Sequence, residues 1–459
     1  MEMKRDSLYF ALGSVALLIV IGVVGFFVRT GGSNVFFATS LAAIPTGLII
    51  VAVTFLLRKS GHKVQLIWCC FSMILLRSVQ LWEVGIDFRD ELRFIGYSRT
   101  LFEQGQFLGY LRYYPVNIPF AGIFYGLYSV FRDVETFEVL SVVVYPLLVV
   151  GYYYMVNEIA KLKHYAGSLS PLIPAVMFLP FAPTFSIIPT YYWPQMLGLG
   201  VLFFALGSLL SFLNSDAQSR KKMLLVVSGL SVVLVFTHSI SSALYLLTIP
   251  FFYWATQDEG KKRITVLLWI GTFVLFIAAH YEQYWSTWVE LYRALLGDAS
   301  AWERLARFSF PNLGSISRQG IFMTLGHTGF FIVVGILVLI RVFKSYSLGS
   351  DVSMSVKERI IKLPRSLLQI LRTDPLSSSF VGLGILAIAS AVVLGGNFLD
   401  PVRVIGWSSL LALPVVIPKK KGYALVLVVV LLALFFLLVW TVNSPWGSPL
   451  GSSQNLNNR

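Results

Sequence analysis

The sequence predicts an all-α polytopic membrane protein with about 13 transmembrane helices, and three observations carry the prediction. Hydrophobic residues make up 56% of the 459 and charged residues only 13%, which is too apolar for a soluble domain of that length. Apolar stretches of about 20 residues recur along the chain, each long enough to cross a bilayer. The lysines avoid every second loop. A transmembrane β-barrel would show short segments of alternating polarity instead.

In chain order the expected spans are 8–28, 35–57, 64–81, 138–157, 169–187, 192–213, 223–237, 240–255, 264–281, 320–342, 378–396, 402–417 and 422–441. The first follows Met1–Arg5 with no small-residue cleavage site behind it, so it reads as a retained span. The stretch 117–131, NIPFAGIFYGLYSVF, is apolar but short, and counting it as a span breaks the alternation. Laid along the interface as a helix, it leaves Lys4, Lys59, Lys63, Lys161, Lys163, Lys221, Lys222, Lys261, Lys262, Lys344, Lys357, Lys362, Lys419, Lys420 and Lys421 all on one side. That side is the cytoplasm of a multi-pass cell-membrane protein, with the amino terminus inside and the carboxyl terminus outside. The formal charge of +14 belongs to these short basic loops and calls for no nucleic-acid partner. Cys69 and Cys70 are adjacent in an apolar run and cannot staple distant segments.

The chain then divides into three parts. Residues 1–63 hold two extra N-terminal transmembrane helices, 64–417 form the main transmembrane module, and 418–459 hold the last span and a disordered outward tail, GSPLGSSQNLNNR. The outward segments 82–137 and 282–319 are long for connectors, and loops of that length are often functional. The cytoplasmic loop 343–377 contains SVKERIIKLPRSLLQILR, a basic and apolar mixture that suits an amphipathic surface helix.

The first outward loop opens with GIDFRDELRFIGYSRTLFEQGQF. In a helix Asp87, Asp90 and Glu91 stand at i, i+3 and i+4 and share one face, with Arg89 and Arg93 close enough to pair with them. One reading is a solvated juxtamembrane turn whose ion pairs contribute little. The other is a working acid cluster, because desolvation at the bilayer border raises a carboxylate's basicity. The aromatic-rich amphipathic segment that follows, FLGYLRYYPVNIPFAGIFYGLY, favours the second.

These residues carry a resemblance. RDELRFIGYSRTLFEQGQF followed by YYPVNIPFAGIFYGL resembles the first outward loop of the C-type (GT-C) membrane glycosyltransferases, the superfamily that includes the protein mannosyltransferases and many archaeal relatives. The matching elements are Asp90-Glu91, Gly105 and Tyr114-Pro115. TYYWPQMLGLG (190–200), VFTHSISSALYLL (235–247) and FLDPVRVIGWSSLLALP (398–414) are similar to later elements of that superfamily and follow in the expected order. The large soluble domain of oligosaccharyltransferases has no counterpart here.

The resemblance implies transfer of a sugar from a polyprenyl-phosphate carrier to a lipid, glycan or protein acceptor at the outer face. Asp90 takes the place of the general base, Glu91 shares the role or orients the acceptor, and Asp87 is a third candidate. Arg403 and His238 are the candidate lipid-phosphate contacts, since a guanidinium holds phosphate in a bidentate fork. Their plain readings are an arginine snorkelling to the headgroups and a histidine hydrogen-bonded at a helix end. Tyr191, Trp193, Gln195 and Tyr114 are candidate sugar or acceptor contacts, set against an ordinary aromatic belt. Arg77, inside a span, is a functional candidate or a partner of Glu83.

No cofactor is called for. His238, His280 and His327 lack metal-ligand spacing, and PTYYWPQ has no acid where a second metal motif would come, although 282–319 carries Glu282, Glu290, Asp298 and Glu303. A divalent metal is therefore not favoured. The alternatives are a transporter or lipid flippase and a non-catalytic relative with the same fold. A transporter would place charges near the bilayer midplane and show inverted repeats, and the acids here gather at the border instead.

Overall fold

The computed structural model describes residues 63–72, 118–131, 136–161, 193–256, 258–301, 334–338, 375–393 and 410–412, with positions 53, 57, 61, 74, 104, 340, 408 and 414. Among the described residues the regular structure is all helical and there is no strand. The main helices are α1 (Ile118–Phe131), α2 (Thr136–Lys161), α3 (Trp193–Asn214), α4 (Arg220–Thr237), α5 (Ser239–Ala255), α6 (Glu259–Leu295) and α7 (Pro375–Val393).

α3 is the centre of the bundle and touches α2, α4 and α5. From Met196 to Phe212 its side chains are buried almost without interruption, Leu199, Phe203 and Leu209 completely so. α2 packs beside it in the same sense. Leu148 faces Gly200, Gly151 faces Gly200 and Phe204, Tyr154 faces Gly207, and Asn214 Nδ2 donates to the Glu158 carbonyl at 3.2 Å. The offset between the two helices hardly drifts over these contacts, which is the mark of parallel packing. Lipid tails are as apolar as leucine, so helices in a bilayer gain most from close backbone approach at small residues, and Gly151 and Gly207 provide it here. Two spans running the same way is what the expected return span 169–187 requires; that span itself lies outside the described residues.

α3, α4, α5 and α6 follow one another through short turns and fold back in sequence. Ser211 Oγ lies 3.4 Å from Met223 Sδ across the α3–α4 turn. Trp269 Nε1 donates to the Leu246 carbonyl at 2.8 Å across the α5–α6 turn. α4 and α6 therefore run in the same sense. α7 packs against α5, with Ser379 Oγ 3.5 Å from Thr248 Oγ1 and the Phe251 ring resting on Gly382. Tyr152, wholly buried in α2, donates its hydroxyl to the Leu410 carbonyl at 2.7 Å and ties 410–412 into the same core.

Two helical stretches among the described residues, Met196–Asn214 and Glu259–Tyr281, are long and apolar enough to cross a membrane. The first is enclosed by its neighbours. The second turns Leu267 (68% exposed) and Val274 (60% exposed) outward, a surface that water tolerates poorly and lipid does not penalise.

The stretch of α6 that is apolar enough to cross a membrane ends at Tyr281, where the expected span 264–281 also ends, but the helix itself runs on to Leu295, 37 residues in all and about 55 Å at 1.5 Å per residue. The first third of the segment 282–319 is thus a rigid continuation of a span. Nothing in HYEQYWSTWVELYRAL breaks a helix until Gly297, whose φ of 91° is the left-handed conformation that glycine adopts without strain. There Gly297 N–H donates to Ala294 O at 3.1 Å and Asp298 N–H to Arg293 O at 3.0 Å, closing a Schellman-type stop.

The expected N-terminal spans 8–28 and 35–57 lie outside the described residues apart from Val53 and Leu57. The interfacial setting expected for 117–131, the surface helix in 343–377, the span 422–441 and the tail also lie outside what is described, although 118–131 is indeed helical.

Candidate functional site

The two ends of the bundle differ in chemistry. At one end, the junctions after α2, between α3 and α4, and between α5 and α6 bring their charges together. Glu158 pairs with Lys161 at 2.6 Å, and Arg220 reaches Asp258 at 3.4 Å. Lys261, itself buried, donates its ammonium to the Leu213 and Ser215 carbonyls at 2.7 and 2.8 Å. A cation there satisfies orphan carbonyls and opposes the negative end of the α3 dipole. Asp258 caps α6 by accepting from Lys261 N–H at 3.1 Å. That bond, and then the nearby Arg220, hold its carboxyl below the usual range, while the Ser219 hydroxyl and N–H do the same for Asp216. Stability linked to a depressed carboxylate is present at neutral pH and lost as the pH falls through its lowered range.

The other end is built around His238. α4 and α5 are separated by this residue alone, whose φ of −160° and ψ of 124° break the helix. Its N–H donates to Leu234 O at 3.2 Å, and its ring Nδ1 accepts from Ser241 N–H at 3.3 Å, so one residue ends α4 and caps α5. Ser242 Oγ donates to the Leu234 and His238 carbonyls at 2.9 and 2.8 Å, and Ser231 Oγ meets the Tyr245 hydroxyl at 3.1 Å. These pairs are symmetric about His238 and zip the hairpin shut. His280, 1% exposed, brings its Nε2 to 3.0 Å from Val235 O and tilts its ring against Phe276, with centroids 4.7 Å apart. A carbonyl only accepts, so Nε2 carries the proton there.

α3 closes on this hairpin through Gly198. A Cβ at that position would lie 2.5 Å from His238 Cβ and 2.9 Å from Ser241 Oγ, so only glycine lets the helix come this close. Two sequence elements read as separate, 190–200 and 235–247, thus meet at one point. Among the described residues around it, 196–200, 233–243 and 276–281, there is no carboxylate, lysine or arginine. These stretches are polar and hydrogen-bonded but uncharged.

Of the candidate site residues, His238 lies in this knot, buried, as the helix-end histidine. Its Nδ1 is committed to the backbone, so a phosphate contact cannot use that nitrogen while the cap holds. Trp193 and Gln195 fall in the first turn of α3 at the same end; their side chains lie outside what is described. Asp87, Asp90, Glu91, Tyr114, Tyr191, Arg403, Arg77, Glu83 and His327 also lie outside the described residues. Glu290 and Asp298 turn out to serve the α6 stop. Glu290 approaches Arg293 at 3.6 Å, and Asp298 accepts from Ser300 and Ala301 N–H groups at 2.9 and 3.2 Å. No group of three His, Cys, Asp or Glu converges among the described residues.

The sequence reading missed Gly198, Lys261 and the role of His280. Lys261 was counted only as a marker of sidedness, and a glycine that seats a histidine 40 positions away leaves no local pattern. His280→Phe keeps the bulk and removes the donor to Val235 O. A buried carbonyl left unsatisfied costs about 1–3 kcal/mol, so the variant should melt clearly below the parent in detergent. An unchanged melting temperature would remove His280 from the architecture of this end.

No protein-family model matches the chain, and no curated protein or solved structure matches it.

Proposed function

We propose that the chain is a polytopic membrane glycosyltransferase of the GT-C type. It takes a sugar from a polyprenyl-phosphate carrier and passes it to an acceptor at the outer membrane face, with Asp90 as general base. The observation that carries the reading is the knot at His238. The TYYWPQMLGLG element, through its Gly198, and the Thr-His-Ser element between α4 and α5 belong to the resemblance. Gly198 and His238 meet at the end of the bundle opposite Lys161, Lys221, Lys222, Lys261 and Lys262. By the positive-inside rule that end faces outward, the side on which the acid-bearing loop 82–137 is expected.

The roles divide by charge. The knot is a preformed, uncharged polar floor. The acid that receives the acceptor's proton comes from Asp90, with Glu91 and Asp87 beside it, and the cation that meets the departing lipid phosphate comes from Arg403. Such a division suits the reaction, because a fixed neutral floor attracts neither partner and leaves both charges to act on the reacting groups. Trp193, Tyr191, Gln195 and Tyr114 would line the space between.

A photoactivatable polyprenyl phosphate tests the donor half of this reading. It should label peptides holding residues 90 and 403, and Arg403→Ala should weaken labelling about tenfold or more, as expected for losing a charge-assisted contact of roughly 1.5–3 kcal/mol. Lysine should restore part of it, keeping charge but losing the fork. Equal labelling of parent, alanine and lysine variants would make Arg403 a headgroup anchor and leave the donor reading without its cation.

A further inference from the structure

The parallel helices α4 and α6 leave a groove between them of about 380 Å³, lined by Leu224, Ser228, Ser231, Leu268, Gly271 and Thr272 among others. Its walls are mostly apolar, and Val232 and Leu267 in its lining are exposed. One turn before Leu224 stands Arg220, and one turn before Ile264 stands Gly260. Arg220 Nη1 lies 3.9 Å from where a Cβ on Gly260 would be, so the guanidinium sits at the mouth of the groove. Its Nε is buried and has no hydrogen-bond partner among the described residues, and its Nη2 reaches Asp258 only at 3.4 Å.

The first turns of α4 and α6 are cationic: Arg220, Lys221, Lys222, Lys261, Lys262 and Arg263 stand there against Asp216, Asp258 and Glu259. Lys261 is spent on the Leu213 and Ser215 carbonyls and Lys262 pairs with Glu259, which leaves Lys221, Lys222 and Arg263 exposed. This charge selects among occupants. Expected spans outside the described residues, among them 8–28, 35–57, 169–187 and 422–441, carry Lys4 and Arg5, Arg58 and Lys59, Lys161 and Lys163, and Lys419–Lys421 at their own lysine-side ends. A span of this chain, or of a second copy, would bring cation against cation. A membrane lipid with an anionic phosphate headgroup brings the opposite charge on a chain that needs only an apolar slot.

We infer that the α4–α6 groove is a binding site for an anionic phospholipid, its headgroup phosphate at Arg220 and Lys221 and one acyl chain running past Gly271. Basic pockets between membrane helices on the cytoplasmic side recognise anionic headgroups in this way. The headgroup end of the site lies at the other end of the helices from His238, and nothing in it depends on sugar transfer.

The experiment uses the purified full chain, delipidated in detergent and titrated with dioleoylphosphatidylglycerol or dioleoylphosphatidylcholine. Bound lipid is read by native mass spectrometry and stability by melting temperature. Phosphatidylglycerol should be retained and raise the melting temperature, and phosphatidylcholine should do so far less. R220Q/K221Q should weaken phosphatidylglycerol retention on the order of tenfold. Gly271→Leu, whose side chain enters open space, should displace both lipids without lowering the melting temperature of the lipid-free protein. Equal retention of the two lipids by the parent would overturn the inference. So would parent-like retention by both variants, or a cysteine at Val232 that cross-links in native membranes to another span or a second copy.

Discussion

Asp90→Asn is expected to reach the membrane at the parent level, melt at nearly the parent temperature and transfer sugar about 10²–10⁴ times more slowly, the usual cost of losing a positioned base. Asparagine keeps the shape and hydrogen bonding of the side chain and removes only the proton acceptor. An exposed ion pair with Arg89 or Arg93 would contribute about 0–1 kcal/mol to stability and nothing to turnover, so the two roles give separate signatures. Glu91→Gln should harm less and Asp87→Asn least. A variant that misfolds assigns the carboxylate to pairing the arginines; one that retains full rate returns all three acids to the status of border charges.

Gly198→Val should be the most damaging single change to the architecture itself. The new Cβ would stand 2.5 Å from His238 Cβ, and that atom is no flexible tip that can swing aside. Either α3 moves away or the α4–α5 hairpin opens. Overpacking of this kind costs about 1–3 kcal/mol for a single methyl, and valine adds two more carbons. Gly200→Ala is the control. Its Cβ would meet Leu147 and Leu148 at 3.6 Å, an ordinary contact, and alanine gains up to about 1 kcal/mol in helix propensity. Detergent-solubilised Gly198→Val should therefore lose folded protein on mild heating while Gly200→Ala matches or exceeds the parent. If both behave like the parent, the packing of α3 against His238 is looser than described.

How far the chain could be read in advance depended on what kind of signal each feature leaves. Helices stand where spans are expected at 192–213, 240–255 and 138–157, namely Trp193–Asn214, Ser239–Ala255 and Thr136–Lys161, the first of them holding a stretch long and apolar enough to cross a membrane, because an apolar run bounded by polar residues declares its helical state. The true end of α6 was illegible to the same rule. A hydropathy window marks where a chain leaves lipid, not where a helix stops, and residues 280–295 contain no glycine or proline to break one. His238 was readable as a helix-end residue from its Thr-His-Ser setting. Its seat on Gly198 was not, since a close approach across the bundle has no sequence period. Lys261 shows the opposite failure: its charge was used to count sidedness, and its bonding to two carbonyls of α3 emerged only with the fold. Asp87, Asp90, Glu91, Tyr114, Tyr191 and Arg403 rest on the sequence and its resemblance.

The length of α6 sets a distance. A hydrocarbon core is roughly 30 Å thick, so a helix of about 55 Å that begins at the basic end must stand well clear of it or lean steeply. Tyr281, Trp285 and Tyr292 are exposed along its upper part, the residues that settle where lipid meets water. Upright, the helix is a mast whose Gly297 stop carries Asp298 and Ser300 beyond a core of that thickness. Under the proposed sugar transfer, a working space walled to that height would favour acceptors presented by the membrane itself over those that arrive from bulk solution. Shortening the mast by two full turns between residues 283 and 296 would lower its top by about 11 Å without altering the floor, so changes in which acceptors are admitted would report on the wall alone.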